Sequence, residues 1–371
     1  MIDEIRLLQR LHDVRGSLFG DYQQKIDQAR ILWLRCIEQA PTYEQLSSCT
    51  QEPLARWQKT LGYKKCVQAA ANYRVMAIDG SQVYPSRHEG LRVALINIGG
   101  LTINYDHCSQ IDFFCEPFVY GGSVDENVPA IIDCERQARE LATSVDLLAS
   151  NPLVDDKRVS VLFDGSLIFW HLQEHASLRE RYCDRYCGYL EQLRRMAVPC
   201  AWYTSLPQSR DIIRIVRAYA HINGEVPVLD DCTDDDIMSH WLQPYERTTL
   251  FESTVGLVYN YPELLRPYFF YIHTGAEIAR VEVPAWLIAC NAENQQLFVQ
   301  ESLGDELASL IVDQCVKGDG YPVSLALAHE QAVVTHRDRE FFVRLVADMA
   351  AQHAVPMRIS RKLLKKRSLA I

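Results

Sequence analysis

Two apolar runs in this chain end in the same tripeptide. Val75 to Ile78 leads into Asp79-Gly80-Ser81, and VSVLF at 159–163 leads into Asp164-Gly165-Ser166. Each run predicts a strand, and each Asp-Gly-Ser predicts the turn that closes it. A strand-terminal aspartate suits metal chemistry, because the strand fixes its backbone while the glycine lets the chain turn away from the ion. One such aspartate is ordinary turn chemistry. Two of them, separated by a hairpin and a helix, are more specific: adjacent parallel strands would bring Asp79 and Asp164 to one sheet edge, the geometry of a two-metal site.

A third carboxylate is expected from the helix between those strands, where Glu135 and Glu140 are the candidates. Helical projection puts Glu135 at the edge of the apolar stripe, nearer the sheet, and lets Glu140 fall away from it. A surface position is the common fate of either. Near the other end, GDGYPVSLALAHEQAV places Tyr321 at the entrance of a helix opened by Pro322 and His329 two turns further in. Beside divalent cations a histidine can ligate, orient water or protonate a leaving group; alone on a helix it is more often structural. Ser81 and Ser166 lack a GxSxG elbow and read as tight-turn hydroxyls.

The elements needed to position these groups are legible in outline. Residues 1–70 have helical periodicity, with Ile5, Leu8 and Leu11 and later Ile26, Ala29, Leu32, Leu34 and Ile37, and form an N-terminal helical arm. The remainder, 71–371, reads as one α/β domain with an inserted helical segment around 205–266. Within it, LRVALINIGGLTINY predicts two short strands hinged at Gly99 and Gly100. A helix follows from Pro129. Later come a helix near 174–196, a strand at 198–203, a helix at 209–222 capped by Ser209, strands at 268–273 and 277–283, and closing helices from about 303.

Composition is that of an ordinary globular protein, 371 residues with 48% hydrophobic and 23% charged. A formal net charge of −10 argues against coating nucleic acid by bulk electrostatics. A basic patch at the C-terminus, Arg358, Arg361, Lys362, Lys365, Lys366 and Arg367, is the exception; it is either a solvated end or a DNA-binding surface, with Arg361, Lys362, Lys365 and Lys366 its core. The twelve cysteines include no CxxC pair, and their spacing supports neither a disulfide framework nor a zinc site; they read as buried cytosolic thiols. No signal peptide and no long apolar run is present, so the expected compartment is the cytoplasm, without a membrane.

Taken in order, MAIDGSQ, VLFDGSL, YTSLPQSRDII, YERTTLF, YFFYIHTGAEIARVEVPAWL and GYPVSLALAHEQAV resemble the NurA nuclease family over roughly residues 72–342. The resemblance implies an RNase H-like mixed sheet flanked by helices. It implies a manganese- or magnesium-dependent nuclease, with two ions per site, acting on DNA as a single-strand endonuclease and 5′–3′ exonuclease. It also implies a homodimer working with a HerA-type hexameric ATPase in end processing, repair or antiphage defence. Residue by residue, Asp79 and Asp164 match the family's acidic ligands, and Tyr321 and His329 its Tyr/His pair, with His329 also a metal ligand. Arg136 to Glu140 has the family's Arg-x-x-x-Glu spacing, which favours Glu140 over Glu135 as the helix ligand.

Two rival readings remain open to the sequence. One is an inactive RNase H-like scaffold that only binds DNA or a partner. The other is a metal hydrolase built on the acidic run at 230–236, although acidic residues before a helix more often cap it. No phosphate-binding GxxxxGK[ST] loop is present, so ATP hydrolysis would fall to another protein. Arg280 and Glu282, alternating on one strand, fit either a substrate or dimer contact or a structural ion pair.

Overall fold

A computed structural model describes residues 2–86, 93–105, 110–121, 128–150, 159–288 and 301–355. Its elements run α1 (Glu4–Phe19), α2 (Tyr22–Gln39), α3 (Tyr43–Ser47), β1 (Arg56–Trp57), β2 (Lys64–Cys66), β3 (Arg74–Val83), β4 (Val93–Asn104) and β5 (Gln110–Gly121). Then come α4 (Val128–Ser150), β6 (Val159–Asp164), α5 (Ala176–Arg195), β7 (Cys200–Ser205), α6 (Asp211–Ile222) and α7 (Asp234–Trp241). β8 (Glu246–Thr248), β9 (Phe251–Glu252), β10 (Pro267–His273), β11 (Ile278–Pro284), α8 (Glu301–Lys317), α9 (Val323–Ala332) and α10 (His336–Gln352) complete the order.

The chain forms two compact units, one of Met1–Ala69, Tyr203–Tyr259 and Arg266–Gly320, the other of Ala70–Trp202, Asn260–Leu265 and Tyr321–Ile371. In the first, β10 and β11 form an antiparallel pair, and β8 and β9 also pair with β10. Ile26, Leu32 and Trp33 of α2 share one buried apolar cluster with Ile212, Val216 and Tyr219 of α6 and Phe269 and Tyr271 of β10. The stripe of α1 behaves differently: Ile5, Leu8 and Leu11 are exposed. Ser209 does not cap α6. Its hydroxyl meets Tyr271 at 2.8 Å, and the carboxylate of Asp234 accepts from the backbone N–H groups of Asp211 at 2.7 Å and Ile213 at 3.0 Å. A side chain distant in sequence thus satisfies the orphan donors of the helix start.

In the second unit β3, β4 and β5 form an antiparallel meander, and β6 returns parallel to β3 after the α4 crossover. The strand order β6-β3-β4-β5, with helices on the sheet, is RNase H-like. The two short strands expected around Gly99-Gly100 are one continuous twelve-residue strand, β4, and the hairpin joins β4 to β5. A Cβ on Gly99 would lie 2.4 Å from the backbone of Gln331 and Ala332, and one on Gly100 2.3 Å from the carbonyl oxygen of Ala77. Those glycines serve close approach of neighbouring backbone, not a turn. Among the described residues no helix is long and apolar enough to cross a membrane, and all ten described cysteines are free.

Candidate active site

The parallel register of β3 and β6 sets Ile78 opposite Phe163. One step further along each strand come Asp79 and Asp164. The two aspartates leave their strands differently. β6 stops at Asp164, and Gly165 takes the left-handed φ of +92° with open space around it, a turn that favours glycine. β3 does not stop at Asp79. It continues to Val83, paired with β4 throughout. The expected turn at Asp79-Gly80-Ser81 is therefore corrected to mid-strand, and Gly80 has another purpose. A Cβ there would meet the Glu140 Oε1 at 2.6 Å and the Arg136 Cγ at 2.8 Å. The missing side chain lets α4 bring its charged groups down to β3.

Both helix carboxylates are buried, Glu135 at 7% and Glu140 at 4% exposure, so the projection that turned Glu140 away from the sheet is corrected. Packing on both sheet and α5 leaves α4 with inward faces in two directions. Glu135 takes the α5 direction, accepting from Tyr182 at 2.7 Å and Arg185 at 2.9 Å. Glu140 takes the β3 direction. There Arg136 donates to its Oε1 and, at 3.4 Å, to the carbonyl of Gly80.

Tyr321 and His329 arrive on the α9 side. Tyr321 donates to Asp164 Oδ1 at 3.2 Å, and His329 Nδ1 lies 2.8 Å from Asp79 Oδ2. The structure therefore assembles Asp79, Glu140, Asp164, Tyr321 and His329 within one unit, while Glu135 points elsewhere.

Electrostatics reflect that convergence. Burial pushes the Glu140 carboxyl up to about 7 and outweighs the pull of Arg136, with Asp79 and Asp164 adding smaller pushes in the same direction. Burial, then the Asp79 charge, raise Asp164 against the hydrogen bond from Tyr321. Glu135 is the opposite case. Burial raises it, but Tyr182 and Arg185 leave it below its usual value. Three carboxylates crowd one basic side chain, Arg136, and one exposed imidazole. Among the described residues, however, no three His, Cys, Asp or Glu side chains already form a closed metal-holding cluster.

The other sequence candidates go elsewhere. The basic tail with Arg361, Lys362, Lys365 and Lys366 lies outside the described residues. The acidic run is taken up by capping and ion pairs: Asp234 caps α6, Asp236 and Thr233 form the capping box of α7, and Asp231 pairs with Lys25 at 2.6 Å. Arg280 and Glu282 form a buried ion pair of 2.7 Å, shared with Asp211 at 2.7 Å. Ser166 accepts from the Ile168 N–H at 3.0 Å, as a turn hydroxyl should. Ser81 does not: it bonds α9. The sequence marks Ser81 only as a turn hydroxyl and Asn97 not at all, and the nearby glycine pair inside an apolar run is the one hint that backbone comes close there.

An RNase H-like sheet with acidic side chains gathered where two parallel strands adjoin defines a class of proteins suited to phosphodiester chemistry. The NurA domain matches residues 73–334, and the chain belongs to the NurA family, a family of nucleases. The NurA nuclease from Sulfolobus solfataricus is similar in fold, with a TM-score of 0.57 at 12% identity over 95% of this chain and 98% of that one. A NurA structure bound to dAMP and manganese matches with a TM-score of 0.44 at 11% identity, over 92% of this chain and 96% of that one. No curated protein matches.

Proposed function

We propose that this chain is a divalent-metal-dependent deoxyribonuclease that hydrolyses phosphodiester bonds at DNA ends and in single strands. The observation that carries the reading is the β3–β6 register, which puts Asp79 beside Asp164, with Glu140 reaching over Gly80 from α4. The carboxylate oxygens are a hard donor set, fitting manganese or magnesium. Asp79, Glu140 and Asp164 would hold the two ions proposed for the site, which when bound supply Lewis acidity and an activated water.

The chain's own groups do the rest. Arg136 steadies the Glu140 carboxylate until a cation competes for it. Tyr321 orients Asp164 through its hydroxyl. His329, two-thirds exposed and hydrogen-bonded to Asp79, is placed to take or deliver a proton at the reacting phosphate. We further propose a cytoplasmic homodimer that works with a HerA-type hexameric ATPase, consistent with the lack of a phosphate-binding loop in this chain. An inactive scaffold is disfavoured because the acidic, tyrosyl and imidazole groups converge.

The test is the purified protein on end-labelled single- and double-stranded DNA with manganese, magnesium or EDTA. Cleavage that requires the metal is expected. Intact DNA in every condition refutes the enzymatic reading.

A further inference from the structure

Packing does little to hold the His329 imidazole. Its side chain is 67% exposed, and its hydrogen bond is to Asp79. Its position must come from α9, a ten-residue helix too short to be stable alone. The C-terminal turn of that helix is seated on β3 and β4. Ser81 Oγ donates to the Ala332 carbonyl at 2.5 Å and accepts from the Val334 N–H at 3.1 Å. Asn97 Nδ2 donates to the same carbonyl at 2.9 Å and to that of Gln331 at 3.4 Å. Asn97 is itself buried and accepts from the Cys115 thiol at 3.2 Å. Gly99 completes the seat, since a Cβ there would strike the backbone of Gln331 and Ala332.

These contacts satisfy carbonyls that a helix C-terminus leaves without intrahelical partners. They also link the catalytic groups. Ser81 is two residues from Asp79 on β3, and Gly99 is opposite Asp79 on β4. His329 lies in the last turn of the helix they anchor.

We infer that Ser81 and Asn97 are positioning residues for His329: by fixing the end of α9 on β3 and β4 they set the reach of the imidazole to Asp79 and to the reacting phosphate. The inference rests on the proposed nuclease function. Neither side chain need touch DNA or metal. A misplacement of about 1 Å at a reacting group costs about 10²-fold in rate, so losing one anchor of two should cost about 10-fold and losing both up to about 100-fold.

A mutant cycle tests this. Ser81→Ala, Asn97→Ala and their combination are made in the wild type and in His329→Ala. Cleavage of saturating single-stranded DNA is measured with manganese, and DNA affinity with calcium. The seat variants should lose rate with affinity unchanged, and the same changes should cost less than about threefold once His329 is gone, because groups acting as a unit are not additive. Losses that multiply in full overturn the inference, as does a fall in affinity matching the fall in rate. Ser81→Ala alone leaves Asn97 holding the Ala332 carbonyl and is the variant that keeps the fold.

The imidazole ¹H–¹⁵N resonances of His329, assigned by their disappearance in His329→Ala, give a readout independent of turnover. They should move in Ser81→Ala and Asn97→Ala; unchanged resonances overturn the inference. A wild type that cleaves no DNA defeats the functional reading instead, and the resonances still decide whether Ser81 and Asn97 position the histidine.

Discussion

Replacing Glu140 by glutamine should stabilise the metal-free protein at alkaline pH. Glu140 is buried beside Asp79 and Asp164, and its carboxyl is raised from 4.5 to about 7. A carboxyl whose folded value lies above its unfolded one binds its proton more tightly in the native state. Stability is then greatest below about 4.5, falls as pH rises toward 7 and is level above that. At about 1.4 kcal/mol per pH unit, the gap corresponds to roughly 3 kcal/mol of destabilisation at pH 8. Glutamine keeps the shape and an acceptor for Arg136 while removing the charge. Arg136 is not stranded, because Asp79 and Asp133 also favour its charged form. Thermal denaturation in EDTA from pH 4.5 to 8.5 should show wild type and Glu140→Gln converging at the acid end and the variant several degrees more stable at pH 8. Glu135→Gln is the control of opposite sign. Its carboxyl is lowered by Tyr182 and Arg185, so it contributes stability at neutral pH that is lost on acidification; the variant should melt below wild type at pH 8. A Glu140→Gln protein no more stable than wild type at pH 8 would refute the reasoning.

Asp79→Ala and Asp164→Ala should each abolish manganese-dependent cleavage while keeping a native circular dichroism spectrum; wild-type activity in either places the site elsewhere. Asp234→Ala strips the acceptor from two backbone N–H groups at the start of α6 and from the Tyr271 hydroxyl, and should cost about 2–4 kcal/mol in urea unfolding; a loss under 1 kcal/mol would mean that water replaces the cap. Charge removal at Lys362, Lys365 and Lys366 together should weaken single-stranded DNA binding in calcium and flatten the slope of log K against log salt by about 2, whereas an unchanged slope makes the tail a solvated end.

Periodicity and turn chemistry, read along the chain, already locate the strands bearing Asp79 and Asp164, the helix between them and the Pro322-opened helix carrying His329. Those signals are local: an apolar run, a glycine, a proline at a helix start. Family spacing also singles out Glu140, although projection on an isolated helix prefers Glu135. Only the tertiary structure gives the two different surroundings, because α4 is buried on two sides, α5 takes Glu135 and β3 takes Glu140. It likewise decides the meaning of the glycines. Gly80, Gly99 and Gly100 look like turn residues in one dimension, yet they lie inside long strands where α4, α9 and neighbouring strands come closer than a Cβ permits. Asn97 carries no sequence signal at all, since the carbonyl it holds on α9 is 235 residues away. Hydrogen bonds to backbone leave no trace in the identity of the residue they reach, so the seat of α9 exists only once the chain has folded.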